Sequence, residues 1–171
     1  EAENILNKLE TISYKRNMPP YVVGLIFAWK ARIFVARDKL TAANQWVATH
    51  NLTFEGPITQ LNESQYLVLA RILLAKSQID ETQNLLQRLL GLAKDSGRIS
   101  RIIEILILQS LAFQEKGDTE QALTILGRAL ELAEPCGFVR LFVDEGPSMA
   151  HLLYKAADNK NASEYIQRLL A

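Results

Sequence analysis

Apolar residues return at helical spacing along most of the chain, as in Ile5, Leu9 and Ile12, then Val22, Leu25, Ile26 and Trp29, then Ile102, Ile105, Leu106 and Leu108. Residues three and four apart share one face of a helix, so each run predicts a helix that turns an apolar side toward a core. Strand-like alternation at a period of two is essentially confined to Phe138 to Val143. Turn-forming clusters at Asn17 to Pro20, Asn51 to Asn62, Asp95 to Gly97, Lys116 to Asp118, Pro135 to Gly137, Gly146-Pro147 and Asp158 to Asn161 divide the pattern into about eight helices.

Sliding the chain against itself by 40 residues aligns Trp46 with Leu86 and Leu126, Ala42 with Thr82 and Ala122, and, two shifts apart, Asp38 with Asp118. The match is best where Leu85 to Ala93 lies on Ile125 to Ala133, which sets Arg88 on Arg128. Repetition of a two-helix unit predicts an all-α fold, an α-α superhelix of antiparallel pairs resembling tetratricopeptide repeats. In that register the large residues at the Trp46 position fill the space between pairs, and small ones such as Ala42, Ala122 and Ala129 let helices approach closely. The spacing exceeds the ~34 residues of a tetratricopeptide unit, so either the loops or the helices must be longer. Capping agrees with these limits. Asp118 can accept from the first amides of its helix with Gln121 reaching back, Gly117 can end the helix before it with positive φ, and Asn62 with Gln65 offers a similar start. Residues 1–137 are therefore expected to hold the repeats. Residues 138–171 are expected to form a capping segment of the same domain, with two short helices between Ser148 and Leu170 covering the last pair.

With 171 residues, of which 49% are hydrophobic and 22% charged, the chain can bury a substantial core. Nineteen Lys and Arg balance nineteen Asp and Glu and are scattered, so the sequence offers no basic patch for nucleic acid. The longest apolar stretches fall far short of the ~20 residues of a membrane span. One cysteine, Cys136, permits no internal disulfide and suits a reducing compartment. The opening Glu-Ala-Glu-Asn has neither an initiator Met nor a leader, which reads as a segment of a longer polypeptide.

Just after the repeats stands Ala133-Glu-Pro-Cys-Gly-Phe-Val-Arg-Leu-Phe-Val-Asp-Glu-Gly-Pro-Ser-Met149. This block resembles the Ala-Glu-Pro-x-Gly-Tyr-Val-Arg-x-Phe-x-Asp-Glu-Gly stretch that closes the helical repeats of the MalT-like group of large ATP-dependent LuxR-type transcription regulators. The resemblance covers nearly the whole chain. It implies a bacterial, cytoplasmic regulator in which an inducer, either a small molecule or a regulatory protein or peptide, binds this region and shifts the full-length protein to an oligomer that binds DNA. It also implies partners among the other domains of that regulator, with ATP bound in an N-terminal domain and DNA held only by a C-terminal one. No Gly-x-x-x-x-Gly-Lys-Ser/Thr loop or helix-turn-helix lies within residues 1–171, so neither a cofactor nor useful DNA affinity is expected of this segment. The repeats alone equally permit a scaffold that binds a peptide in its concave groove.

No residue pattern indicates an enzyme or a metal site. His50 and His151 are far apart, with no second ligand at metal spacing, and read as ordinary structural or surface residues. Cys136 has no activating partner nearby. Asp144 and Glu145, being adjacent, do not face one another; Arg140 can reach Asp144 if the segment is helical. The concave face is the better candidate. In the register above, Phe27, Phe34, Arg71, Glu104 and Gln114 point into the groove, where apolar surface and a few polar groups suit ligand binding. Arg71 and Glu104 can alternatively pair with each other or with neighbouring helices.

Overall fold

The computed structural model describes residues 2–159 and 164–171. Among them the chain forms ten helices and no strand: α1 (Ala2–Lys15), α2 (Pro20–Ala36), α3 (Leu40–Thr49), α4 (Glu63–Ala75), α5 (Ile79–Asp95), α6 (Ile99–Glu115), α7 (Thr119–Ala133), α8 (Arg140–Val143), α9 (Pro147–Asn159) and α10 (Glu164–Leu170). The fold is an all-helical, tetratricopeptide-like repeat. It divides into two compact units, Glu1–Leu92 and Ala93–Ala171. In the first, α2 lies against α1, α3 and α4; in the second, α6 and α7 pair closely and α8 and α9 pack on them.

The extra length over a tetratricopeptide unit lies mainly in the helices. α5 and α6 have 17 residues each, and only three residues separate α5 from α6 and α6 from α7. The long connection at residues 50–62 is the exception and follows the shorter α3.

One device ends these helices. At Asn17, Asp38, Asn51, Ser77, Gly97, Gly117 and Gly137 the backbone takes a positive φ. In each case that residue's N–H bonds the carbonyl three back, and the next N–H bonds the carbonyl five before it, as in Gly117 to Gln114 at 3.0 Å and Asp118 to Phe113 at 3.0 Å. This is the Schellman ending, which satisfies carbonyls the helix leaves open. Glycine takes the left-handed conformation without a Cβ clash, whereas Ser77 and Asp38 bear some strain. Gly117→Ala should therefore lower the unfolding free energy by about 1 kcal/mol in urea titration, and no loss would show that the turn relaxes to another conformation.

The same turns correct the repeat register. Asp38, Ser77 and Gly117 stand at equivalent helix ends, 39 and then 40 residues apart. Residues with no exposed surface follow that spacing: Ala31, Ala70 and Ser110 on α2, α4 and α6, and Ala43, Thr82 and Ala122 on α3, α5 and α7. The small slot of the first pair is thus Ala43 and not Ala42, which is partly exposed. Asp38 answers to Gly117 instead of Asp118, and Trp46 to Leu85 instead of Leu86. A uniform 40-residue shift misplaces the first pair by one position, and a one-residue error turns a helix by about 100°. Trp46, Leu86 and Leu126 are nonetheless all buried, at 6%, 0% and 0% exposure.

Two caps also separate. Asp118 accepts from the Gln121 amide at 3.1 Å as the sequence predicts. Asn62 does not cap α4; its Oδ1 accepts from the Thr59 amide at 2.7 Å and its Nδ2 donates to the Pro57 carbonyl at 3.0 Å, so it folds the loop instead.

The alternating stretch Phe138 to Val143 is a turn leading into α8. A lone strand has no partner for its backbone groups, whereas a helical turn satisfies some of them internally. Phe142 is fully buried, with its ring edge-on to Tyr165 at 6.3 Å between centroids. The Tyr165 hydroxyl donates to the Phe138 carbonyl. Arg140 meets Asp144 at 2.8 Å on the exposed side. The tail comprises α9 and α10, and the Asn161 end of the last predicted break lies outside the described residues.

Candidate functional site

The first unit contains an open cleft of about 380 Å³, within the size range of small-molecule sites. Four helices build it. The end of α1 supplies Ser13 and Tyr14, α2 supplies Val23, Gly24 and Phe27, the residue after α3 is His50, and the first turn of α4 contributes Gln65. Among the described residues, none that lines it is Lys, Arg, Asp or Glu. Beside it, Lys30 Nζ, 5.9 Å from the Phe27 ring centroid, is ion-paired with Glu10 at 2.6 Å.

His50 is held firmly. Its ring stands 5.1 Å from both the Phe27 and Trp46 centroids, and its Nδ1 lies 2.9 Å from the Trp46 carbonyl. A carbonyl can only accept, so Nδ1 carries the proton, which leaves Nε2 of the neutral ring an acceptor. Gln65 depends on a missing side chain: a Cβ at Gly24 would stand 2.2 Å from Gln65 Nε2. Glycine inside a helix costs stability relative to alanine, and here its absent side chain leaves room for the Gln65 amide against α2.

The loop that begins at His50 is pinned from α5. Arg88 donates through Nη2 to the Gly56 carbonyl at 2.6 Å and through Nη1 to that of Phe54. Tyr66 packs against Gly56, where a Cβ would meet its hydroxyl at 2.3 Å. Burial raises the Tyr66 phenol above its ordinary 10.0, with the Arg88 guanidinium opposing the shift. Tyr165 is raised in the same way by burial, opposed by Arg168 and reinforced by Glu134 and Cys136. Both folded pKa values lie above the unfolded one, so this stability is fully present below pH 10.0 and is lost as pH rises through the folded values. The urea midpoint should fall above that pH, and less steeply in a Tyr66→Phe, Tyr165→Phe double variant; equal slopes would refute the assignment.

Of the five side chains expected to face a groove, Phe27 lines this cleft. Phe34 is half-buried on α2. In the corrected register Ala28 and Val35 are the equivalents of Leu67 and Leu74, so Phe27 and Phe34 do not occupy the groove-facing positions that a 40-residue shift assigns them. Arg71 is buried in α4, with its Nη1 3.5 Å from the Leu67 carbonyl. Glu104 is buried in α6 of the second unit and pairs with Arg101 of its own helix at 2.7 Å. Gln114, near the end of α6, has its Oε1 buried without a hydrogen-bond partner.

His50 and Gln65 line the cleft without having been expected there, whereas Gly24 falls with Phe27 on the side that the repeat register turns inward. His50 has no spacing signal, Gln65 reads as a cap partner, and the only hint is a glycine inside the apolar run Tyr21 to Ala28. Cys136 is free and exposed, His151 is exposed, and no cluster of His, Cys, Asp and Glu among the described residues can hold a metal. No described helix is long and apolar enough to cross a membrane.

Comparison with curated proteins and with solved structures gives no match. The family model of the MalT-like TPR region, in contrast, matches residues 1–159, nearly the whole chain and every repeat helix from α1 to α7, and the chain belongs to that family.

Proposed function

We propose that this chain is the effector- or partner-binding repeat region of a MalT-like, LuxR-type transcription activator. The observation that carries the reading is family membership across residues 1–159. Helical repeats expose broad surfaces, which suits a region that binds an effector or a partner. The region itself performs no chemistry; ATP and DNA are handled by other parts of the regulator. A formal net charge of zero is consistent with leaving DNA to them, since duplex binding at physiological salt rests on several phosphate contacts.

An in-frame deletion of residues 1–171 in the parent gene tests this. Transcript profiles should lose induction of a defined set of genes while the truncated protein is still made. Identical profiles with and without the region would overturn the transcriptional role.

A further inference from the structure

We propose that the cleft between the end of α1, α2, His50 and the first turn of α4 is a binding site for an uncharged small molecule that offers one apolar ring face and a hydroxyl or N–H donor. This deepens the effector-binding reading but is judged by binding alone, so it can fail while the transcriptional role survives, and the reverse.

Four observations support the ligand class. The lining carries no charged group and the nearby Lys30 is neutralised by Glu10 at 2.6 Å, so an ion entering here would lose water without finding a partner. Phe27 gives an aromatic surface against which a flat apolar face can pack. With Nδ1 donating to the Trp46 carbonyl at 2.9 Å, the other ring nitrogen of His50, Nε2, can accept from a donor on the ligand. Gln65, seated over Gly24, adds an amide that can both donate and accept.

Phenol has the minimal chemistry of this ligand, and anisole has nearly the same shape without the donor. Titrating the chain with each while following the His50 Nε2 nitrogen by NMR separates the contributions; a His151→Gln variant assigns the signal. Phenol should shift that nitrogen saturably in the millimolar range, as expected of so small a ligand. Anisole should bind about two- to ten-fold more weakly, the worth of one hydrogen bond, and benzoate more weakly than phenol. His50→Phe keeps a ring beside Phe27 and Trp46 while removing the acceptor, and should bring phenol down to the anisole level. Gly24→Ala should leave the circular dichroism spectrum unchanged, because it need displace only the flexible end of Gln65, and should weaken phenol binding. Absence of a saturable shift, benzoate binding as tightly as phenol, or undiminished phenol affinity in both His50→Phe and Gly24→Ala would overturn the proposal.

Discussion

Leu86→Ala should lower the unfolding free energy by about 2–5 kcal/mol, a large part of the stability of an ordinary domain. Leu86 has no exposed surface and lies on α5 beside Leu85 and Leu89, which are equally enclosed. Truncation removes buried methyl groups and leaves a cavity that rigid helical neighbours can only partly close, so both terms act in the same direction. The adjacent Gln87 is exposed, and Gln87→Ala should change stability by less than about 0.5 kcal/mol. Urea unfolding followed by circular dichroism measures both variants. Similar losses at the two positions would mean that the face of α5 has been assigned wrongly.

Periodicity is what made this face legible. The helical repeat of apolar positions locates α4 to α7 within a few residues, because packing on two or more sides demands the pattern continuously. It says less about burial at the first helix. Ile5, Leu9 and Ile12 follow the same spacing on α1 yet are 52%, 43% and 42% exposed. An apolar stripe reports that a helix has a face to cover, and only the tertiary structure shows whether it is covered. The register of the first pair was illegible for a related reason. Ala42 and Ala43 are adjacent and identical, so the sequence cannot choose between them, whereas the turn at Asp38 settles the choice by position. Asp38 and Ser77 hide the repeated turn from a reader who looks for glycine.

The cleft was less legible than the fold. Its residues come from four elements, and no two of its main polar side chains, His50 and Gln65, share a helix. Side chains brought together only by packing leave no spacing in the sequence. The 40-residue shift drew attention to the polar positions of α4 and α6, which lie within strongly periodic helices. His50 lies at the end of the short α3, where the repeat is least regular and the long loop begins. Arg88 shows the same limit. Aligned with Arg128 it reads as a repeat residue, but it holds the Phe54 and Gly56 carbonyls of a loop that has no counterpart after α5 or α6.

Phe142→Ala should cost about 3–5 kcal/mol, making it the most damaging single truncation expected in the second unit. The block from Ala133 to Met149 gives the reason. Gly137 at φ 67 ends α7 and Gly146 at φ 73 ends the turn after α8, so the short helix between them is fixed at both ends. That arrangement places Phe142 inside, at 0% exposure, while Ala133 and Met149 are equally enclosed. Tyr165 then closes over it, ring edge against ring and hydroxyl on the Phe138 carbonyl, which ties α10 to the turn before α8. Loss of the Phe142 ring removes the buried surface and the aromatic contact together, and frees Tyr165 from its packing partner. Val143, the next residue, is 47% exposed, so Val143→Ala is the matched control and should lose less than about 1 kcal/mol. Hydrogen exchange would read the change locally: amides of α9 and α10 should lose protection in Phe142→Ala and keep it in Val143→Ala. Unchanged protection in both would show that the motif is not what holds α9 and α10 in place.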